Sequence, residues 1–247
     1  MTVPAGRPHL SVVIPSYNEE QRLPASLRSI LDYLDTAKLP AEVLVVDDGS
    51  TDDTQRAAAA ALGRERGRVL RHAENRGKGA GFRTGFAAAQ GRWVLLTDAD
   101  LSTPIAEHAR LAEAARQGDL DLVIGSRGLR DSRVEVAQTR LRRSLGKTFN
   151  RILRTATGMR FRDTQCGFKL MDRERLAPVV ERMLVDGFAF DVELLYVATR
   201  FGLRVAEVPV TWRNSPDSRV SMTKAPPRML IDVLRVLWRF RRGGYNP

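Results

Sequence analysis

Glu42-Val43-Leu44-Val45-Val46-Asp47-Asp48-Gly49-Ser50 is the stretch on which the fold turns. Four apolar residues in an unbroken run, stopped by two carboxylates, a glycine and a serine, read as a strand buried on both faces that ends in an acidic turn. On the amino side, Leu10-Ser11-Val12-Val13-Ile14 is a second such run, stopped by Pro15. Between the two runs, Leu23, Leu27, Ile30, Leu31 and Leu34 fall on one face of a helix with Pro24 in its first turn. On the carboxyl side, Ser50 or Thr51 is placed to cap an Ala-rich helix ending near Gly63. Then come a weaker strand, Arg68–Arg71, and a small-residue helix that opens at Asn75-Arg76-Gly77-Lys78-Gly79-Ala80-Gly81 and closes at Gly91. Next is a strand, Trp93–Leu96, ending in Thr97-Asp98-Ala99-Asp100, then a helix after Pro104 and a strand over Leu120–Ile124. This alternation predicts right-handed βαβ units, a mostly parallel sheet and the α/β class.

The second half is less regular. A basic stretch over 127–155 enters a helix. Cys166–Met171 reads as a strand, Phe188–Arg200 as a helix started near Asp191, Arg204–Trp212 as a strand, and 213–227, with three prolines, as a loop. No linker divides the 247 residues, which predicts one domain over 1–247. A single cysteine, Cys166, excludes an intramolecular disulfide framework, and the paired cysteines of zinc sites are missing. No apolar run approaches the roughly 20 residues a bilayer span needs, and Met1–Pro8 lacks a secretory core. A cytoplasmic protein is therefore expected. The net charge of +11 asks for an anionic partner: nucleic acid, an anionic membrane surface or a phosphorylated substrate.

Two acidic pairs follow strands at the edge where open α/β sheets bind ligands: Asp47-Asp48 and Asp98-Ala99-Asp100. Carboxylates so spaced can ligate Mg²⁺ or Mn²⁺, which take further ligands from substrate phosphates; the plain alternative is solvated turn residues. Gly77-Lys78-Gly79-Ala80-Gly81 fits neither the P-loop nor the dinucleotide pattern. Lys78 at a helix start can meet a diphosphate, or the glycines simply let helix and sheet pack closely. A nicotinamide oxidoreductase is excluded because Pro15-Ser16-Tyr17-Asn18 stands where its glycines belong. A basic nucleic-acid-binding module explains the charge but not acids at strand ends, and no zinc-finger or RNP pattern is present, so no nucleic-acid partner is expected.

Ser11–Glu20, Val45–Asp52 and Thr97–Asp100 resemble the hallmark segments of family 2 inverting glycosyltransferases. Arg76-Gly77-Lys78-Gly79, Gly125-Ser126-Arg127, Thr164–Lys169 and Phe190-Asp191-Val192-Glu193 resemble the branch that makes dolichyl- or polyprenyl-phosphate glucose and mannose, with Leu101–Pro104 closest to the glucosyltransferases. The resemblance implies a GT-A fold: a Rossmann-like, mostly parallel sheet flanked by helices, with a nucleotide-binding half over about 9–125 and a smaller mixed acceptor region over about 126–215. It implies a nucleotide sugar donor, UDP-glucose with GDP-mannose as the rival, and a polyprenyl- or dolichyl-phosphate acceptor, a soluble or glycan acceptor being the alternative. By matching positions, Pro15, Tyr17 and Glu19 would line the nucleotide pocket, Asp48 would bond the base, and Asp98 and Asp100, with Ala99 between them, would hold Mg²⁺ or Mn²⁺ against the diphosphate. Pro15 and Tyr17 also read as a strand terminator and a packed aromatic.

A lipid phosphate is already anionic and needs cationic clamping rather than a strong base. Arg127, Arg140, Arg142 and Arg143 are the candidate ligands for it, each also readable as surface charge. Lys78 would neutralise the leaving diphosphate. Asp191 would orient the sugar or an arginine, or else cap a helix. A single displacement would give a β-linked product. Finally, 228–242 reads as a basic amphipathic helix: Leu230, Val233, Leu234, Leu237 and Phe240 form a stripe, with Arg228, Arg235, Arg239 and Arg242 elsewhere and Trp238 as an interfacial aromatic. It would lie on the cytoplasmic face of an anionic membrane or pack on the core.

Overall fold

The computed structural model describes residues 8–63, 66–135, 150–151, 153–213 and 225–245, with backbone alone for 225–227. Alternating strands and helices fill the first half. They are β1 (Leu10–Ser16), α1 (Leu23–Thr36), β2 (Ala41–Asp47), α2 (Thr54–Leu62), β3 (Gly67–Arg71), α3 (Lys78–Ala88), β4 (Trp93–Leu96), α4 (His108–Gly118) and β5 (Leu122–Ser126). After a short β6 (Arg133–Val134) come β7 (Lys169–Asp172), α5 (Arg173–Val180), α6 (Phe190–Arg200), β8 (Val205–Pro209), β9 (Thr211–Trp212) and α7 (Ala225–Arg241).

Seven strands form one sheet in the order β3-β2-β1-β4-β7-β5-β8, and β6 pairs with β9 in a second. Every pairing in the large sheet is parallel except those of β7, which runs antiparallel between β4 and β5. Alternate residues of the buried strands feed two cores. Val12, Ile14, Val43, Val45 and Leu95 face the stripe of α1 (Leu23, Leu27, Ile30, Leu34) and the inner faces of α2 and α4. Val13, Leu44, Val94 and Leu96 face Phe82 and Phe86 of α3 and the helices of the second half.

The polarity of β7 positions the site. Lys169, its first residue, is in register with both Leu96 at the end of β4 and Ile124 of β5. The segment before β7 is thereby delivered to the edge where β1, β2, β4 and β5 end.

Several boundaries differ from those read in the sequence. Neither Ser50 nor Thr51 caps α2, which starts at Thr54 without a side-chain cap bond; Ser50 Oγ instead accepts from Asn18 N, and Thr51 N donates to Asn18 Oδ1. The strand expected from Cys166 begins at Lys169, because Cys166-Gly167 turns against Asp98. The strand expected over Arg204–Trp212 is two, β8 and β9, divided at Val210 and belonging to different sheets. Helix α6 is capped at Ala189, so Asp191 lies inside its first turn and is no cap. The terminal helix spans Ala225–Arg241 rather than 228–242, and the expected loop over 213–227 lies largely outside the described residues.

Candidate active site

Each motif at the sheet edge resolves into a specific set of bonds. Asp47 is fully buried; its Oδ1 accepts from Ser50 N at 3.0 Å and Oδ2 faces Arg71 Nη1 at 3.1 Å, so it closes its own turn. Asp48 is also buried. Its Oδ1 lies 2.7 Å from His72 Nδ1 and accepts from Arg76 N at 3.0 Å, while Oδ2 accepts from Gly77 N at 2.7 Å. His72 is steadied in turn by Thr84 Oγ1 at 2.8 Å. The first acidic pair thus builds the β2 turn and the loop that leads to Lys78.

Gly77 caps α3 with φ +108°, and a side chain there would strike the Asp186 carbonyl. Asp186 O accepts from Gly79 N at 2.7 Å and Ala80 N at 3.3 Å. The start of α3 is therefore closed by backbone, and the cation it offers is the Lys78 side chain. Close packing explains the later glycines: a Cβ on Gly85 would lie 2.3 Å from Val13 Cγ1, and one on Gly81 would lie 3.1 Å from Pro15 Cβ.

Lys78 Nζ donates to Asp98 Oδ1 at 2.5 Å. Burial alone would push the Asp98 carboxyl up, but the charge and hydrogen bond of Lys78, with Lys169 and Arg127 behind them, hold it below the ordinary carboxylate range. Asp98 and Asp100 keep 35% and 19% of their side chains exposed. Asp100 Oδ1 accepts from Ser102 N, and its Oδ2 lies 3.8 Å from Arg22, which also forks onto Glu19. Glu19 and Arg22 thereby tie the loop after β1 to the loop after β4. Tyr17 is exposed beside them and Pro15 is buried in β1.

The second half supplies the remaining wall. A side chain on Gly167 would overlap the Asp98 carboxylate, its Cβ 2.3 Å from Oδ2. Arg127 grips Asp163 through Nε (2.6 Å), Nη2 (2.9 Å) and its own backbone N–H (3.0 Å), under the Trp212 ring. Asp191 is buried and accepts from Lys169 Nζ at 2.5 Å; burial pushes its carboxyl up against the pull of Lys169 and Lys78. Glu193 accepts from Leu184 N, Val185 N and the Tyr245 hydroxyl.

The structure therefore brings Lys78, Asp98, Asp100, Asp191 and Arg127 to one region, linked through charge or hydrogen bonds, with Glu19 joined through Arg22. Arg140, Arg142 and Arg143 lie outside the described residues. Sequence reading gave no role to Asp163, His72 or Arg22, nor to Lys169, which stood only as the last residue of the Thr164–Lys169 motif. Lys169 and Asp163 flank Cys166-Gly167, and an ammonium inside an apolar strand was the available signal. Among the described residues, no group of three or more His, Cys, Asp or Glu is placed to hold a metal alone. Asp98 and Asp100, two oxygen donors from one turn without thiol or imidazole, fit a hard divalent ion that draws other ligands from water and phosphate.

A mostly parallel sheet ending in paired carboxylates, with a lysine bonded to one of them and an antiparallel strand carrying the opposite wall, is the arrangement of a GT-A glycosyltransferase. The chain belongs to glycosyltransferase family 2: the profile of Glycosyl transferase family 2 matches residues 11–177. It is similar to the dolichyl-phosphate beta-glucosyltransferase of Dictyostelium discoideum, 32% identical, covering 95% of this chain and 76% of that protein. It is likewise similar to the dolichyl-phosphate beta-glucosyltransferase of Drosophila melanogaster, 35% identical over 96% and 77%. Glucosyl-3-phosphoglycerate synthase of Mycobacterium tuberculosis, solved in complex with UDP, superposes with a TM-score of 0.69 at 25% identity, over 95% of this chain and 80% of that one.

Proposed function

We propose that this glycosyltransferase moves glucose from UDP-glucose, with inversion, onto a polyprenyl or dolichyl phosphate at a membrane surface. Two of the relatives named above are dolichyl-phosphate beta-glucosyltransferases by name, which supports the sugar and the lipid acceptor, and the UDP complex of the mycobacterial enzyme supports the nucleotide. The observation that carries the reading is the cluster at the end of β4. Two partly exposed carboxylates share one turn, Lys78 is bonded to the first, and the Gly167 backbone backs it.

In this reading Pro15, Tyr17, Glu19 and Asp48 shape the nucleotide pocket in the half over about 9–125 of a single domain, and Asp98 and Asp100 hold Mg²⁺ or Mn²⁺, with Ala99 between them. The ion would neutralise charge building on the leaving diphosphate. Lys78, a fixed cation at the same carboxylates, adds to that neutralisation. Arg127, oriented by Asp163 and Trp212, meets the acceptor phosphate, and Arg140, Arg142 and Arg143 are assigned the same charge. Because Asp191 is bonded to Lys169, it serves to orient rather than to take a proton. An anionic phosphate oxygen needs no base to attack the anomeric carbon.

The membrane surface is assigned to α7. Its inner residues Val233 and Val236 are buried, yet Ile231, Leu234 and Trp238 are exposed at 50%, 55% and 57% and are flanked by exposed Arg228, Arg235 and Arg242. Of the stripe read in the sequence, Val233 and Leu237 are buried against the core and Leu234 alone is exposed, so that stripe is the core-packing face and the exposed apolar ridge, edged with arginine, is a different one. Five of the seven large exposed apolar side chains among the described residues lie on α7 or at Leu184 and Phe188 of the loop beside it. Anionic lipid would attract the arginines and accept the ridge. No helix among the described residues is long and apolar enough to cross a membrane; the contact we propose is a peripheral one, at the cytoplasmic face.

The test is a binding and transfer series. UDP-glucose with Mn²⁺ should raise the melting temperature more than GDP-mannose with Mn²⁺, and glucose should pass to dolichyl phosphate. Stabilisation by GDP-mannose alone would replace the donor, and transfer in excess EDTA would remove the metal from the site.

A further inference from the structure

Lys169 is the least expected charge in the molecule. It lies in the middle of the sheet with no exposed surface, and burying an ammonium costs several kcal/mol unless good partners meet it. Its Nζ has two. It donates to Asp191 Oδ1 at 2.5 Å and to the Cys166 carbonyl. Both partners lead into the site. Asp191 opens α6 beside Lys78, and Cys166 immediately precedes Gly167, whose backbone backs the Asp98 carboxylate. One ammonium therefore fixes a carboxylate from the second half and the wall behind a carboxylate from the first. The antiparallel register of β7 puts it there, opposite Leu96 at the end of β4.

We propose that Lys169 is a positioning residue for sugar transfer, acting through Asp191 and the Cys166-Gly167 backbone without touching substrate. The proposal rests on the site reading given above. A stabilising role alone accounts poorly for it, because replacing a buried ion pair as a whole by apolar residues of similar volume is often neutral or stabilising. The pair tethers α6 to the segment before β7, and misplacement by about 1 Å in such a site can cost about 100-fold in rate.

The test is a double-mutant cycle on transfer of glucose from UDP-glucose to dolichyl phosphate in detergent, using Lys169→Met, Asp191→Asn and the combined variant. kcat is measured at saturating donor and acceptor, with near-ultraviolet circular dichroism as the check on folding. Each single variant should lose about 100-fold in kcat, and the pair should lose no more than about threefold beyond the worse single variant, because both remove one tether. Lys169→Gln, which keeps an N–H donor, should recover part of the rate.

If the orphaned Asp191 carboxylate stops Lys169→Met from folding, the neutral pair and Lys169→Gln carry the test: Lys169→Gln should then exceed the pair in kcat. Wild-type kcat in a folded Lys169→Met beside an impaired Asp191→Asn overturns the proposal and leaves the site reading standing. Losses that multiply in the pair, or a Lys169→Gln no better than the pair, also overturn it. A fully active Asp191→Asn removes Asp191 from the site itself, and the positioning role falls with it.

Discussion

The two halves of the sheet edge handle charge in opposite ways. Before residue 126, charges stand at the ends of parallel strands: Asp47 closes its own turn, Asp48 holds the loop that leads to Lys78, and Asp98 and Asp100 remain partly open. After it, the charges are mostly buried and bonded across elements: Lys169 with Asp191, Arg127 with Asp163, and Glu193 with the loop before α6 and with Tyr245. In the proposed reading the first half offers ligands, and the second is a frame of ion pairs and hydrogen bonds that holds a wall against them. A ligand-exchanging site needs groups whose partners can be displaced, whereas buried pairs are costly to break.

Removing a ligand should therefore cost rate without cost in folding. Asp100→Ala should lower kcat by at least about 1,000-fold, about 4 kcal/mol in barrier, with the melting temperature within a few degrees of wild type. A variant that retains activity would erase the contrast. Arg127→Ala sharpens it from the other side: the KM for dolichyl phosphate should rise about 30-fold, with the KM for UDP-glucose moved less than threefold. Because Asp163 loses its partner, that variant should also melt earlier. An unchanged acceptor KM would leave Arg127 a purely structural member of the frame.

The same contrast explains what the sequence disclosed. The first half was readable because each βα unit is local: apolar run, acidic or glycine turn, amphipathic helix, repeated, with buried strands that match the apolar runs. Asp98 and Asp100 announced themselves by standing directly after such a run. In the second half, β7 is inserted between β4 and β5, which precede it by tens of residues, and nothing in the local pattern of 166–171 reports that partnership. Lys169 looked like a strand residue, and its role depends on Asp191, 22 positions away. Likewise Asp191 had the spacing of a helix cap, and only the tertiary pairing shows that its carboxylate is engaged elsewhere.

A titration in the first half should show how far its helices depend on uncharged packing. His108, at the start of α4, is buried against Tyr33, whose hydroxyl lies 3.0 Å from its Nδ1. Burial, helped by the charge of His9, lowers its pKa to about 4. In the unfolded chain it titrates near its ordinary value, so between pH 6.5 and 4 the unfolded state binds the extra proton. Stability is fully present above that window and is lost as pH falls through it, by about 3 kcal/mol. Urea unfolding at pH 7 and pH 4 should show this loss shrinking by that amount in His108→Gln. An equal loss in the variant would place the acid sensitivity elsewhere.

The outer ridge of α7 should matter less to folding than to location. Ile231→Ser, Leu234→Ser and Trp238→Ser together should weaken binding to anionic vesicles about 30-fold, about 2 kcal/mol, with UDP-glucose binding unchanged. Retained vesicle binding would move the membrane contact to another surface.

The smallest effect is expected at the far end of the second-half frame. Tyr245 follows α7 and is buried; its hydroxyl donates to Glu193 Oε1 at 2.6 Å, and the same oxygen accepts from Leu184 N at 3.0 Å. The carboxylate keeps its backbone donors when the phenol is lost, and phenylalanine preserves the ring packing on Phe240, so Tyr245→Phe gives up one charge-assisted hydrogen bond and little else. That is worth about 1–2 kcal/mol of stability. Glu193→Leu, which strands two backbone N–H groups and the phenol together, should cost several times as much. Because the loop it releases also supplies the Asp186 carbonyl to the start of α3, it should weaken UDP-glucose binding as well. Equal losses from the two variants would show that Glu193 serves the terminal tyrosine alone and that the frame does not reach the donor side.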